Sequence, residues 1–221
     1  MIKSISSLIE AVDGFRADKR WRYRGHADAS WKLVPKAGRN DFKRVDDELI
    51  FRTWKKMAVG YHSGPIADDW DWLAIAQHHG LATRLLDWTI SPLTAAFFAA
   101  CECEDKDGIV YAAHFARHMP IEKSTPYVTK FTGCVKPRGV VPRIVRQGGS
   151  FTYHADPSKP FAADSRMTTE IREFVIPRSA KREIISQLSF LGTSRYSLFP
   201  DLDGLSSFVN WSVVSGEYWR L

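Results

Sequence analysis

The 221-residue sequence contains no G-x-G-x-x-G and no Gly-Lys-Ser/Thr, which excludes a Rossmann fingerprint and a Walker loop. H-E-x-x-H and G-x-S-x-G are missing too, so the simplest zinc-protease and serine-hydrolase readings fall away. Cysteine is scarce. Cys101, Cys103 and Cys134 are too few and too irregular for a secreted disulfide framework, which places the chain in a reducing compartment. The single residue between Cys101 and Cys103 is too short for a zinc knuckle, so no metal is expected. No apolar run reaches the roughly 18 residues that span a bilayer, and the opening MIKSISSLIEAV lacks the apolar core of a secretory signal. The expectation is a soluble cytoplasmic protein with no membrane partner.

What is present is globular in composition, with 44% hydrophobic and 25% charged residues. Thirty-one Lys and Arg against 25 Asp and Glu give a formal charge of +6. That excess suits a phosphate-bearing partner, a nucleotide or nucleic acid, although scattered cations with no basic tail also describe an ordinary basic surface. No repeat, low-complexity segment or linker divides residues 1–221, so one domain is expected, with long loops at 120–142 and 154–168.

Periodicity outlines the elements. Ile5, Leu8, Ile9 and Val12 have helical spacing after Ser4 as cap, with Gly14 placed to end the helix. Residues 21–26 alternate as a strand, with Trp21 and Tyr23 on one face and Arg22, Arg24 and His26 on the other. Trp31 to Val34 is a second extended piece. A helix over 45–61 carries the stripe Ile50, Trp54, Met57 and Tyr61. A helix from Asp69 to His79 has carboxylates in its first turn, Trp72, Ile75, Ala76 and His79 on one face, and Gly80 to close it. Ser91 caps a further helix with Pro92 at its first position. Gly108–Phe115, Arg143–Tyr153 and Ile171–Ile176 read as strands. Ser179–Leu191 reads as a helix burying Ile184, Ile185, Leu188 and Leu191, and Leu205–Val213 as a last short one. Without a regular βαβ rhythm the fold class is α+β, a mixed sheet with packed helices.

The densest chemistry lies in Gln77-His78-His79-Gly80-Leu81-Ala82-Thr83-Arg84-Leu85-Leu86-Asp87-Trp88-Thr89. One reading is structural: a helix C-cap, an Arg84–Asp87 ion pair and a core Trp. The other treats Gly80 to Ser91 as a loop forming a pocket wall, with Arg24 facing the same cleft. Asp87 sits among Leu85, Leu86 and Trp88, where an unpaired carboxylate would be costly, so it is expected to pair with Arg84 or Arg24.

Tyr23-Arg24-Gly25, Trp31-x-Leu33-x-Pro35 with Arg39, and AQHHGLATRLLDWTISPLTAAFFA together resemble the FRG domain family. Tyr23 stands where that family's eponymous triplet has Phe. RIVRQGGSF at 143–151 and Ile176-Pro177 with Lys181 are similar to weaker features of the family, so the resemblance spans about residues 20–210. It implies a bacterial or phage-encoded protein, in some cases in a toxin or defence setting. The arrangement is also similar, more distantly, to that of ADP-ribosyltransferases, which implies an ADP-ribosyltransferase-like fold and NAD as substrate.

Under that resemblance Arg24 would grip the pyrophosphate, Thr89 or Ser91 would be the pocket hydroxyl, and Gln147 would stand where a catalytic Glu is expected. Glu170 or Glu173 could then supply the charge. Arg24, Asp87 and Gln147 are accordingly the candidate catalytic set. Arg24, Gly25, His79, Thr83, Arg84, Trp88 and Thr89 are the candidate cofactor-binding set. The alternative is a binding module in which Arg22, Arg24, Arg39, Arg84, Arg143 and Arg146 line a groove for nucleic acid or a phosphorylated partner. A third reading has these arginines as structural ion-pair partners.

Overall fold

The structure, a computed structural model, describes residues 1–136, 138, 142–163 and 168–216. In chain order the elements are α1 (Ile5–Val12), β1 (Trp21–His26), α2 (Asp47–Ala58), α3 (Asp69–His78), β2 (Leu85–Thr89), α4 (Pro92–Ala100) and β3 (Gly108–Phe115). Then follow β4 (Gly133–Val135), α5 (Pro142–Arg146), β5 (Gly149–Tyr153), β6 (Thr168–Ile176), α6 (Lys181–Phe190), α7 (Arg195–Leu198) and α8 (Leu202–Val214). The class is α+β. Six strands form one sheet in the order β4-β5-β2-β1-β3-β6.

The sheet is antiparallel rather than mixed: each pairing between its six strands is antiparallel. The reason lies at its centre. β2 and β3 both run antiparallel to β1 and so are parallel to each other, joined through α4 as a crossover would join them. β1 separates them, and the parallel pair never bonds directly.

α4 is the hub of the helical face. Ser91 accepts from the Thr94 N–H and Pro92 occupies the first turn, as the sequence predicts. Its small residues let it lie directly on the sheet, so a Cβ at Gly25 would collide with the Ala95 carbonyl and one at Gly108 with that of Ala99. α1 and α6 cover α4, through Leu8, Ile184 and Leu188. Lys181 closes this layer. It is 1% exposed, and its Nζ donates to the carbonyls of Ala27, Glu102 and Cys103 at 2.6–2.9 Å, tying α6 to the ends of β1 and α4. A second apolar cluster joins α3 to β2 and β5 through Trp70, Leu85 and Tyr153. On the opposite face Leu33, Trp88 and Phe161 form a third cluster, roofed by loops.

Several expectations need correction. Leu85–Thr89, read as loop, is a central strand. Both its faces are covered, so four of its five residues are buried and no alternation marks it. Arg143 does not begin a strand: α5 precedes β5, and the Arg143 side chain lies outside the described residues. The α2 stripe is out of phase, since Phe51 is its buried residue while Met57 and Tyr61 are exposed. Leu191 is exposed because α6 ends one residue earlier, before Gly192 at φ +81°. α7, capped by Ser194, is an element the sequence pattern did not indicate.

Candidate functional site

β1 and β2 pair only at Tyr23↔Thr89, and beyond that point the two strands part. Arg24 lies in the fork. Its Nη1 donates to the Asp87 carbonyl across the gap at 2.6 Å, and its Nε donates to His26 Nε2 at 2.9 Å. The alternation of β1 brings this pair together, because Arg24 and His26 share a face. The His26 Nδ1–H then donates to the Trp31 carbonyl at 3.2 Å, which fixes the tautomer that leaves Nε2 as acceptor. Burial, reinforced by the charge of Arg24, depresses the His26 pKa to about 3, so the ring is neutral.

The Arg24 side chain is 15% exposed, and burial lowers its pKa, an effect that nearby Asp87 partly offsets and Arg39 adds to. Among the described residues Nη2 makes no hydrogen bond. This guanidinium is therefore desolvated but only partly used.

Asp87 lies beside it, with Oδ2 3.7 Å from Arg24 Nη1. The expected pairing of Asp87 with Arg24 is present, but it is not buried: the Asp87 side chain is 57% exposed. The residue falls on the strand position that faces α3, where Gln77 Nε2 donates to Oδ2 at 2.8 Å. Thr83, fully buried, donates to Gln77 Oε1 at 2.6 Å and accepts from Leu85 N–H.

Arg24, His26, Gln77 and Asp87 line a cleft of about 910 Å³. Lys32, Arg39 and Lys43 line it, as does Trp31, which is 47% exposed. The segment bearing them is anchored by Ala37 N–H to the Thr83 carbonyl, Lys36 Nζ to the Gly80 carbonyl and Phe161 N–H to the Leu33 carbonyl. Thr89, Trp88 and Gln147 also line the cleft. Most of their side-chain polar groups are already engaged. Thr89 Oγ1 donates to the Gln147 carbonyl at 2.5 Å and accepts from Ser91 N–H, the Trp88 indole donates to Thr152, and Gln147 Nε2 donates to the Leu198 carbonyl.

The cleft thus brings together Arg24, Gly25, Asp87, Trp88, Thr89 and Gln147. Three expected residues are placed elsewhere. His79 is exposed outside the lining, because α3 ends at His78 and the turn into Gly80 at φ +83° swings it away; His78 lines the cleft instead. Thr83 sits behind the wall. Arg84 belongs to a separate nook, bonded to both carboxylate oxygens of Asp47 and stacked over Tyr127. Gly25 lines the cleft and is also required by helix packing, since a Cβ there would meet the Ala95 carbonyl. Glu170 and Glu173 lie on β6, the far edge strand, outside the cleft.

The six-arginine groove does not assemble. Of its described side chains only Arg24 and Arg39 line the cleft, while Arg22 bonds the Lys19 and Trp21 carbonyls. Among the described residues no group of three or more His, Cys, Asp or Glu could hold a metal, and no helix is long and apolar enough to cross a membrane. Sequence reasoning missed His26, Trp31, Lys32, Lys43 and Gln77 as site residues. The phase of His26 with Arg24 was an available signal, as was the run of cations between 32 and 43.

Residues 19–108 match the FRG domain family. The chain carries an FRG domain. The match begins just before β1 and ends at the first residue of β3, so it contains Arg24, His26, Gln77, Asp87 and Thr89. Gln147 and the features at 143–151 and 176–181 fall outside the matched span of the FRG domain. No curated protein and no solved structure matches the chain.

Proposed function

We propose that the FRG-domain cleft binds a nucleotide through its phosphates, with NAD the leading ligand. One observation carries this reading: the buried, incompletely bonded Arg24 guanidinium at the floor of a cleft rich in cations. Arg24, Lys32, Arg39 and Lys43 line it against the carboxylates Asp87 and Glu102. A guanidinium fork with a spare nitrogen suits phosphate oxygens, and exposed Trp31 offers a face for a base. Carried through to chemistry, the reading is an ADP-ribosyltransferase or NAD-cleaving enzyme of a toxin or phage-defence type. Such chemistry needs an anion near the ribosyl cation. Gln147 cannot supply one, so the carboxylates available to it are Asp87 and Glu102.

The test is calorimetric titration with NAD, paired with an assay of nicotinamide release. Binding that Arg24→Ala abolishes supports the reading, and nicotinamide release extends it to an enzyme. The second reading, a nucleic-acid-binding module, draws on Trp31 beside the cations. Single-stranded nucleic acid bound with a steep salt dependence, while millimolar NAD does nothing, would favour it.

A further inference from the structure

We infer that Asp87 accepts a hydrogen bond from a ribose hydroxyl of the bound nucleotide, so that the cleft selects ribonucleotides over their deoxy counterparts. The inference rests on the nucleotide reading above and adds which part of the ligand is recognised.

Thr83 sets the orientation of the groups in front of it. Its hydroxyl is fully buried and accepts from Leu85 N–H, so its one proton goes to Gln77 Oε1. That fixes the Gln77 carboxamide with Nε2 towards Asp87; a flipped amide would set Oε1 against a carboxylate. The chain of bonds runs from the core to the cleft and holds Asp87 Oδ2 in place. Among the described residues Oδ1 makes no hydrogen bond, and the side chain is 57% exposed in the cleft. A carboxylate acceptor oriented by a buried network, with one oxygen left open, is built to receive a donor.

That donor must belong to a ligand whose neighbouring group is anionic, because Arg24 Nη1 is 3.7 Å from Asp87 Oδ2. A bare polyphosphate would meet repulsion from Asp87, and an apolar ligand would cover Asp87 Oδ1 and Arg24 Nη2 without giving either a partner. A sugar hydroxyl a few bonds from a phosphate satisfies both. In a nucleotide that group is the ribose, its phosphate on Arg24 and its hydroxyl on Asp87.

ADP, with a single ribose, is the probe, titrated calorimetrically against 2′-deoxy-ADP and 3′-deoxy-ADP on wild type and Asp87→Ala. Asp87 is exposed, and a thermal melt confirms that the variant folds. The expected result is that one deoxy analogue binds wild type about 10- to 100-fold more weakly than ADP, the range for a hydrogen bond to a charged group. In Asp87→Ala the two affinities should then fall within about twofold. If ADP binds in an Arg24-dependent way and both deoxy analogues match it, this inference is overturned and the nucleotide reading stands. Discrimination that survives in Asp87→Ala overturns the assignment to Asp87. No ADP binding overturns this inference, and if NAD does not bind either, the nucleotide reading falls with it.

Discussion

Arg24 and Arg84 are nearly equally hidden, with side chains 15% and 12% exposed, yet their surroundings are opposite. Arg84 meets Asp47 through two nitrogens, stacks over Tyr127, and reaches the Tyr153 hydroxyl and Ala155 carbonyl at 3.3 Å. Burial works against its charge, but Asp47 outweighs that penalty and its pKa rises. Arg24 has a neutral histidine, one carbonyl and a carboxylate at 3.7 Å, and its pKa falls. A buried cation that the protein satisfies is part of the fold. One that it leaves partly unsatisfied marks where a ligand can complete the set.

The sharpest way to break that comparison is to remove Arg84. Arg84→Ala strands the Asp47 carboxylate, 14% exposed, beside Tyr127. Breaking a buried pair from one side costs about 3–5 kcal/mol. For a chain of this size that lowers the melting temperature on the order of 10 °C. A melt within a degree of wild type would show that Arg84 is not the structural arginine.

Acid tests the neutral groups next to the two arginines. His26 bonds Arg24, and His154, whose backbone N–H bonds the Arg84 carbonyl, is 1% exposed. Burial, together with the charge of Arg24, takes their pKa values from 6.5 to about 3 and about 4. Below pH 6.5 the unfolded chain takes up protons that the folded chain refuses, so stability falls as pH drops towards 4. The slope is about 1.4 kcal/mol per pH unit for each histidine. Urea titrations at pH 7.0 and 5.5 should differ by roughly 2–3 kcal/mol from this pair. The double variant His26→Asn, His154→Asn should remove that part of the difference; an unchanged slope would assign it to other groups.

Removing Arg24 should separate binding from folding. Arg24→Met relieves a desolvated charge and forfeits two hydrogen bonds, opposing changes that leave stability within about 1 kcal/mol of wild type. NAD binding should disappear. A large loss of stability together with retained binding would reverse the roles of the two arginines.

The sequence made the capped helices and β3 legible, because Ser91-Pro92, Ser4 and the β-rich Gly108–Phe115 act through local physics. β2 was hidden for the opposite reason: a strand covered on both faces has no period to read, and its polar Asp87 looked like loop chemistry. The site was half legible. Arg24 and Asp87 stood out by type, and β1 alternation put Arg24 and His26 on one face. Nothing in sequence spacing distinguishes Arg84 from Arg24, since Asp47 is 37 residues away from its partner. Nor could spacing reveal that Gly25 is required by α4.

The smallest expected effect is the stability change from Asp87→Ala, and it bears on the comparison from the carboxylate side. Sequence context alone, three apolar neighbours on one strand, points to a loss of several kcal/mol if Asp87 is buried with an arginine. The carboxylate instead lies 57% exposed, with Gln77 at 2.8 Å and Arg24 beyond hydrogen-bonding distance. Solvent screens such a pair, so its removal should change stability by about 0.5 kcal/mol or less. Asp47→Ala, by contrast, should approach the loss expected on removing Arg84, because it leaves that guanidinium buried without its anion. Chemical denaturation of the two alanine variants side by side measures the difference directly. If Asp87→Ala proves as damaging as Asp47→Ala, the fork between β1 and β2 is held together by Asp87, and the cleft is a structural joint rather than a binding site.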